Sequence, residues 1–167
     1  MDDPGKNDLA AEFLALKAAN DRLRESGKQW LWELLDRIAA EISRTLADRP
    51  GATPLRVGRQ EWQFTVENAT MVGERFGARH QGRTLLIEVG WPRLPEHGFV
   101  PNRGLARGSI GLSQNTMLQP RPLANLILQK QTDANPRWHL IKNDTIGEPI
   151  GESMLRGYFH RLIGDRG

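Results

Sequence analysis

Glu61-Trp62-Gln63-Phe64-Thr65-Val66-Glu67 alternates polar and apolar residues without a break. Successive side chains of a strand point to opposite faces, so a period of two marks a half-buried strand, with Trp62, Phe64 and Val66 expected to face a core. Upstream of Pro54 the period is helical. Leu9, Phe13, Leu16 and Leu23 recur at spacings of four, three and seven, and Leu31, Leu34, Leu35, Ile38, Ile42 and Leu46 extend the series. The chain switches from helix to sheet just before this stretch.

The helix is expected from about Asn7 to Asp48, with Asn7 or Asp8 as its cap and Arg49-Pro50-Gly51 as its stop. At 1.5 Å per residue it would run about 60 Å, longer than a compact body of this size is wide. Glycine inside a helix costs about 1 kcal/mol relative to alanine, so Ser26-Gly27 is the expected position of a kink or short break.

Downstream, Met71 to His80 and Thr84 to Trp91 read as strands joined at Gln81-Gly82, with Leu85, Ile87 and Val89 facing the core. A loop from Pro92 to Asn102 carries three prolines. Ala106 to Ser113, Leu123 to Gln131 and Arg137 to Asn143 are three more strands, the last two linked by Thr132-Asp133-Ala134-Asn135-Pro136. Met154, Leu155, Tyr158, Phe159, Leu162 and Ile163 return to helical spacing and stop at Gly164. Short connections force antiparallel pairing, because parallel neighbours need a crossover of about a dozen residues or more. The expected fold class is α+β: a long N-terminal helix, about six antiparallel strands, and a C-terminal helix packed on the sheet. One domain is expected, with a helical arm over 7–48, the sheet over 55–143 and the last helix over 151–163.

Composition narrows the chemistry. The 167 residues contain no cysteine, which excludes disulfide scaffolds, thiolate metal sites and cysteine nucleophiles. Met1-Asp2-Asp3-Pro4 is acidic where a secretory signal is basic and then apolar, and no stretch approaches the ~20 apolar residues of a membrane span, so a cytoplasmic protein without membrane partners is expected. The net charge of +3 is unevenly spread: residues 51–140 hold 11 Lys/Arg against 6 Asp/Glu, and ten of those cations are arginine. Arginine suits planar, bidentate contact with carboxylate or phosphate.

Several small motifs carry little chemistry. Gly77-Ala78-Arg79-His80-Gln81-Gly82-Arg83-Thr84 has the spacing of a phosphate loop, but Thr84 opens a strand pattern where such a loop must open a helix, so a hairpin turn is expected. Gly104, Gly108 and Gly111 read as a strand with bulges or one crossed closely by a helix. His80, His97, His139 and His160 lie in four separate elements and form no metal-ligand pair, so neither metal nor cofactor is expected. Glu74 and Glu88, on adjacent strands, are a candidate carboxylate pair, with ion pairs to Arg75 or Arg83, or exposure to water, as the simpler expectation.

Three functions fit this pattern. Leu9, Leu16, Leu23 and Trp30 are seven apart and suit the d positions of a coiled coil. Phe13, Asn20, Gly27 and Leu34 then fall at a, where a polar Asn20 fixes register and two-strandedness. The first reading is therefore a non-enzymatic interaction module that forms a homodimer or docks a partner protein through Leu9, Phe13, Leu16, Asn20, Leu23 and Trp30. The second is a nucleic-acid-binding sheet using Arg75, Arg79 and Arg137, since arginines beside aromatic rings hold single strands in several modules. The third is an enzyme assembled around Glu88, His97 and the loop from Pro92 to Arg103.

Overall fold

The computed structural model describes residues 4–115, 117–132 and 134–164. Met1, Asp2 and Asp3 at the acidic start, and Asp133 of the second expected turn, lie outside these. Helix α1 spans Pro4–Ala47. Seven strands follow: β1 Arg56–Val66, β2 Ala69–His80, β3 Arg83–Trp91, β4 Ala106–Ser113, β5 Arg121–Gln129, β6 Arg137–Lys142 and β7 Thr145–Pro149. Helix α2, Glu152–Ile163, closes the described chain. All strands join one antiparallel sheet in sequence order, so the architecture is the expected α+β meander with one strand more. No helix among the described residues is long and apolar enough to cross a membrane.

The turns account for the register. Gln81 and Gly82 both take positive φ, 52° and 80°, as do Asn143 and Asp144, at 50° and 62°. Such two-residue turns match the twist of a hairpin. The second of them carries the chain into β7, which sequence reading misses because Thr-Ile-Gly-Glu-Pro has one large apolar residue and is exposed throughout.

Both helices cover one face of the sheet. Leu31, Trp32, Leu35, Ile38 and Ile42 of α1 and Leu155, Phe159 and Leu162 of α2 form a single buried cluster with Phe76, Leu85, Ile87, Ile110, Leu126, Leu128 and Trp138. Glycine at 27 does not break α1, which continues as helix through the expected site. The residue is needed for contact: a Cβ there would lie 2.6 Å from Leu128 Cδ2, and the Gly27 carbonyl accepts a 2.9 Å hydrogen bond from Trp138 Nε1. The cost of glycine is offset by the close approach it allows. Asn7 and Asp8 lie inside the helix, three and four residues past Pro4, and do not cap it.

Trp62 and Phe64 do not face the helices. The pairing of β1 with β2 sets Arg59 opposite Phe76, and Arg59 reaches Asp36 of α1 at 3.7 Å, so the odd-numbered residues of β1 face the helices. Trp62 and Phe64 stand opposite Gly73 and Met71 on the reverse face, where Phe64 lies close against Gly90. Alternation alone identifies two faces without saying which one the helices cover.

Part of the reverse face is covered by the loop between β3 and β4, which contains two short helical turns, Pro95–His97 and Pro101–Arg103. Gly98 approaches Ala69 and Gly104 approaches Ile127, so Met71 and Ile127 are fully buried under it. In β4 the register shifts between Ile110 and Gly111, the bulge expected for this glycine-rich strand, and a Cβ at Gly108 would lie 2.7 Å from the Glu88 carbonyl.

Candidate interaction surfaces

The C-terminal half of α1 is committed to the sheet and its N-terminal half is not. Leu9 and Phe13 are each 67% exposed and Leu16 53%. At 100° per residue, Leu9, Phe13, Leu16 and Asn20 fall within about 60° of one another and point the same way as Gly27, Leu34 and Ile38. One stripe thus runs the length of the helix, bare at Leu9, Phe13 and Leu16, half-buried at Asn20, where the side-chain oxygen is shielded from solvent, and covered by the chain's own core from Leu23 onward. Leu23 packs against the chain's own core. Trp30, 47% exposed, lines a groove of about 800 Å³ shared with Pro136, Arg137, Trp138 and Pro149, apart from the bare stripe.

The root of this arm is held by charge. Asp21 accepts from Lys17 at 3.0 Å and from Arg24 at 2.7 Å, and Arg24 Nε donates to the Leu105 carbonyl at 2.8 Å. Burial raises the Asp21 carboxyl, but the hydrogen bonds and charges of Lys17 and Arg24 outweigh it and hold the group below its ordinary value. A carboxylate depressed in the folded state adds stability that is complete at neutral pH and is lost as pH falls through the depressed value. Amide protection over residues 17–24 is therefore expected to stay constant from neutral pH to about pH 5, where native and unfolded carboxylates are both ionised, and to fall below that. Asp21→Asn should show the loss already at neutral pH, checked by hydrogen exchange corrected for its intrinsic pH dependence.

On the reverse face of the sheet, the register gathers arginines. Arg56 stands opposite Arg79, Gly58 opposite Gly77, and Gln60 opposite Arg75. Arg75 and Arg79 therefore share a face, and the Arg75 guanidinium lies 4.2 Å from the centre of the Trp62 ring. Arg137 belongs to β6, four strands from β2 in the sheet order, and lines the Trp30 groove. Arg56, which sequence reading passes over, takes its place. Only the pairing of β1 with β2 shows this.

Glu74 and Glu88 do not form a pair. Glu74 faces α1, where Trp32 Nε1 donates to it at 2.6 Å and Lys28 Nζ lies at 3.6 Å. Glu88 is on the reverse face and accepts from Ser109 Oγ at 3.4 Å. Adjacent strands place directly opposed residues on one face, and Glu74 is opposed by Val89. Neither glutamate takes the expected arginine. His97 accepts the Leu94 backbone N–H on Nδ1 at 3.3 Å, a contact within its own turn. Among the described residues no group of three or more His, Asp and Glu is placed to hold a metal ion. No protein-family model, curated protein or solved structure matches this chain.

Proposed function

We propose that this chain is an interaction module that pairs with a second copy of itself through the projecting half of α1. The observation that carries the reading is the bare stripe of Leu9, Phe13 and Leu16, continuous with the face that α1 buries against its own sheet. After Leu23 that face is occupied, so a parallel partner helix would run into the sheet within about two turns of 5.4 Å each. An antiparallel partner leaves the two bodies at opposite ends of the seam. Phe13 of one copy then packs near Leu16 of the other, with Leu9 near the polar Asn20.

Magnitudes set the strength. Burying six such side chains contributes about 9–18 kcal/mol at 1.5–3 kcal/mol each, against an association cost of about 4–15 kcal/mol. The two ranges overlap and their midpoints leave about 4 kcal/mol, a weak, reversible dimer with a dissociation constant of about 1 mM.

The triple substitution Leu9→Glu, Phe13→Glu and Leu16→Glu tests this. These side chains touch nothing in the chain's own core, so the variant is expected to keep the thermal midpoint of the body. Light scattering over a concentration series reaching about 1 mM, the expected dissociation constant, should report a mass that rises with concentration for the parent and a constant monomer mass for the variant. A parent that stays monomeric there sinks self-pairing and leaves the stripe to a foreign protein. A variant that unfolds would show that the stripe packs internally.

A further inference from the structure

The reverse face of β1, β2 and β3 carries a second surface, independent of the arm. Reading across the sheet, one row is Arg56, Arg79 and Thr84; the next is Gly58, Gly77 and Leu86, continuing to Gly111 on β4; the third is Gln60, Arg75 and Glu88. The middle row holds only one side chain larger than hydrogen, Leu86. It is therefore a furrow, with arginine on both walls and bare backbone for much of its floor.

Residues four apart on a strand are separated by about 14 Å, which sets the distance between the outer rows, and three strand spacings give a similar length. A volume of about 360 Å³ lies over Arg56, Gly58, Arg75, Gly77, Arg79 and Leu86. It shares Arg75, Thr84 and Leu86 with a second recess of about 350 Å³, walled by Met117, Leu118 and Pro120. Met117 and Leu118 are 87% and 61% exposed, so the inner end offers apolar surface next to the cations. The outer end opens at β1, an edge strand.

On this surface three arginines, Arg56, Arg75 and Arg79, outnumber the one carboxylate of these rows, Glu88. Among the described residues no carboxylate lies within ion-pair distance of Arg56, Arg75 or Arg79. Glu88 stands across from Arg75 and takes the Ser109 hydroxyl, bounding the furrow on β3. Contact with the Trp62 ring limits the freedom of the Arg75 side chain.

We propose that this furrow binds single-stranded nucleic acid. Guanidinium groups on both walls match the regularly spaced phosphates of one strand. The bare backbone at Gly58 and Gly77, with Leu86 beside it on the same row and Met117 and Leu118 beyond, accepts the flat face of a base. An acidic peptide would need no flat slot and would seek the backbone hydrogen bonds of the β1 edge, whereas the arginines stand on the face of the sheet.

The test uses the full chain and a fluorescently labelled oligouridylate, with binding read by anisotropy across a salt series. Three neutralised phosphates predict a log–log slope of about −2 on a single strand, a loss of about twentyfold between 50 and 200 mM salt. Arg75→Gln with Arg79→Gln should bring the slope to about −0.7. Gly58→Val with Gly77→Val fills the floor and leaves every charge in place. A Cβ at Gly58 meets nothing within 4 Å and one at Gly77 comes no closer than 3.7 Å to Leu86, so the fold should persist, as circular dichroism would confirm. This folded variant is expected to bind on the order of tenfold more weakly, the loss of one stacked base.

Three results would overturn the proposal: no binding by the parent at low salt, a filled furrow that binds as the parent does, or an oligoglutamate of equal charge that binds as tightly as the oligonucleotide. The last result would assign the surface to an acidic protein segment.

Discussion

Phe76→Ala is expected to cost about 3–5 kcal/mol, the range for deleting a fully buried aromatic side chain. Phe76 has no exposed surface and sits where the sheet meets both helices: its ring centre lies 6.0 Å from that of Trp32 on α1 and 6.4 Å from that of Phe159 on α2. The first pair is nearly parallel, at 23°, and the second is edge-on, at 71°. Both arrangements add to the area term. Alanine would leave a cavity between two helices and a sheet, none of which can close it alone. With total stability of about 5–15 kcal/mol for a protein of ordinary size, about a fifth or more would go. Urea unfolding should show a lower midpoint with an unchanged slope. A loss under about 1 kcal/mol, far below the buried-aromatic range, would mean that the helices do not pack on this face.

A comparable loss is expected from adding one methyl group. In Gly73→Ala the new Cβ would lie 1.9 Å from the Val89 carbonyl oxygen and 2.7 Å from the Gly90 Cα. Both obstacles are backbone of β3, paired directly with β2, so relief requires parting the two strands. Overpacking typically costs 1–3 kcal/mol and occasionally more, and the rigid obstacle puts this case at about 3 kcal/mol or above. Gly58→Ala is the control. Its Cβ meets nothing, and the loss of unfolded-state freedom should stabilise the protein by about 0.4–1 kcal/mol. Thermal unfolding of the two variants should therefore move in opposite directions, and two shifts of the same sign would contradict the pairing of Gly73 with Gly90.

Element types were legible because each follows from a local period. The alternation at Trp62, Phe64 and Val66 identified a strand whichever way its faces turned, and the spacing of Leu31, Leu34, Leu35 and Ile38 identified a helix whatever it packed on. Short connections then made antiparallel pairing obligatory within the hairpins, whereas the long loop between β3 and β4 left that pairing to the tertiary structure. β7 escaped notice because it buries almost nothing and is held by its turn and by pairing with β6. In the arm, the positions of Leu9, Phe13 and Leu16 on one stripe were readable from spacing alone.

Tertiary structure decided which surfaces stay open. A period of two distinguishes two faces but carries no information about which one a helix distant in sequence will cover, and here Arg59 faces α1 while Trp62 faces away. Glycine at 27 reads locally as a weak point, yet the approach of Leu128 and Trp138 makes it a contact. The furrow depends on register: Arg56 lies 23 positions before Arg79 in the chain, and only the turn after Val66 places them opposite each other. The amino-acid sequence by itself determined the elements and their antiparallel order, through interactions between residues a few positions apart. Cross-strand registry and helix docking, which join residues far apart in the chain, decided the end of the free stripe on α1 and the gathering of arginines around bare backbone.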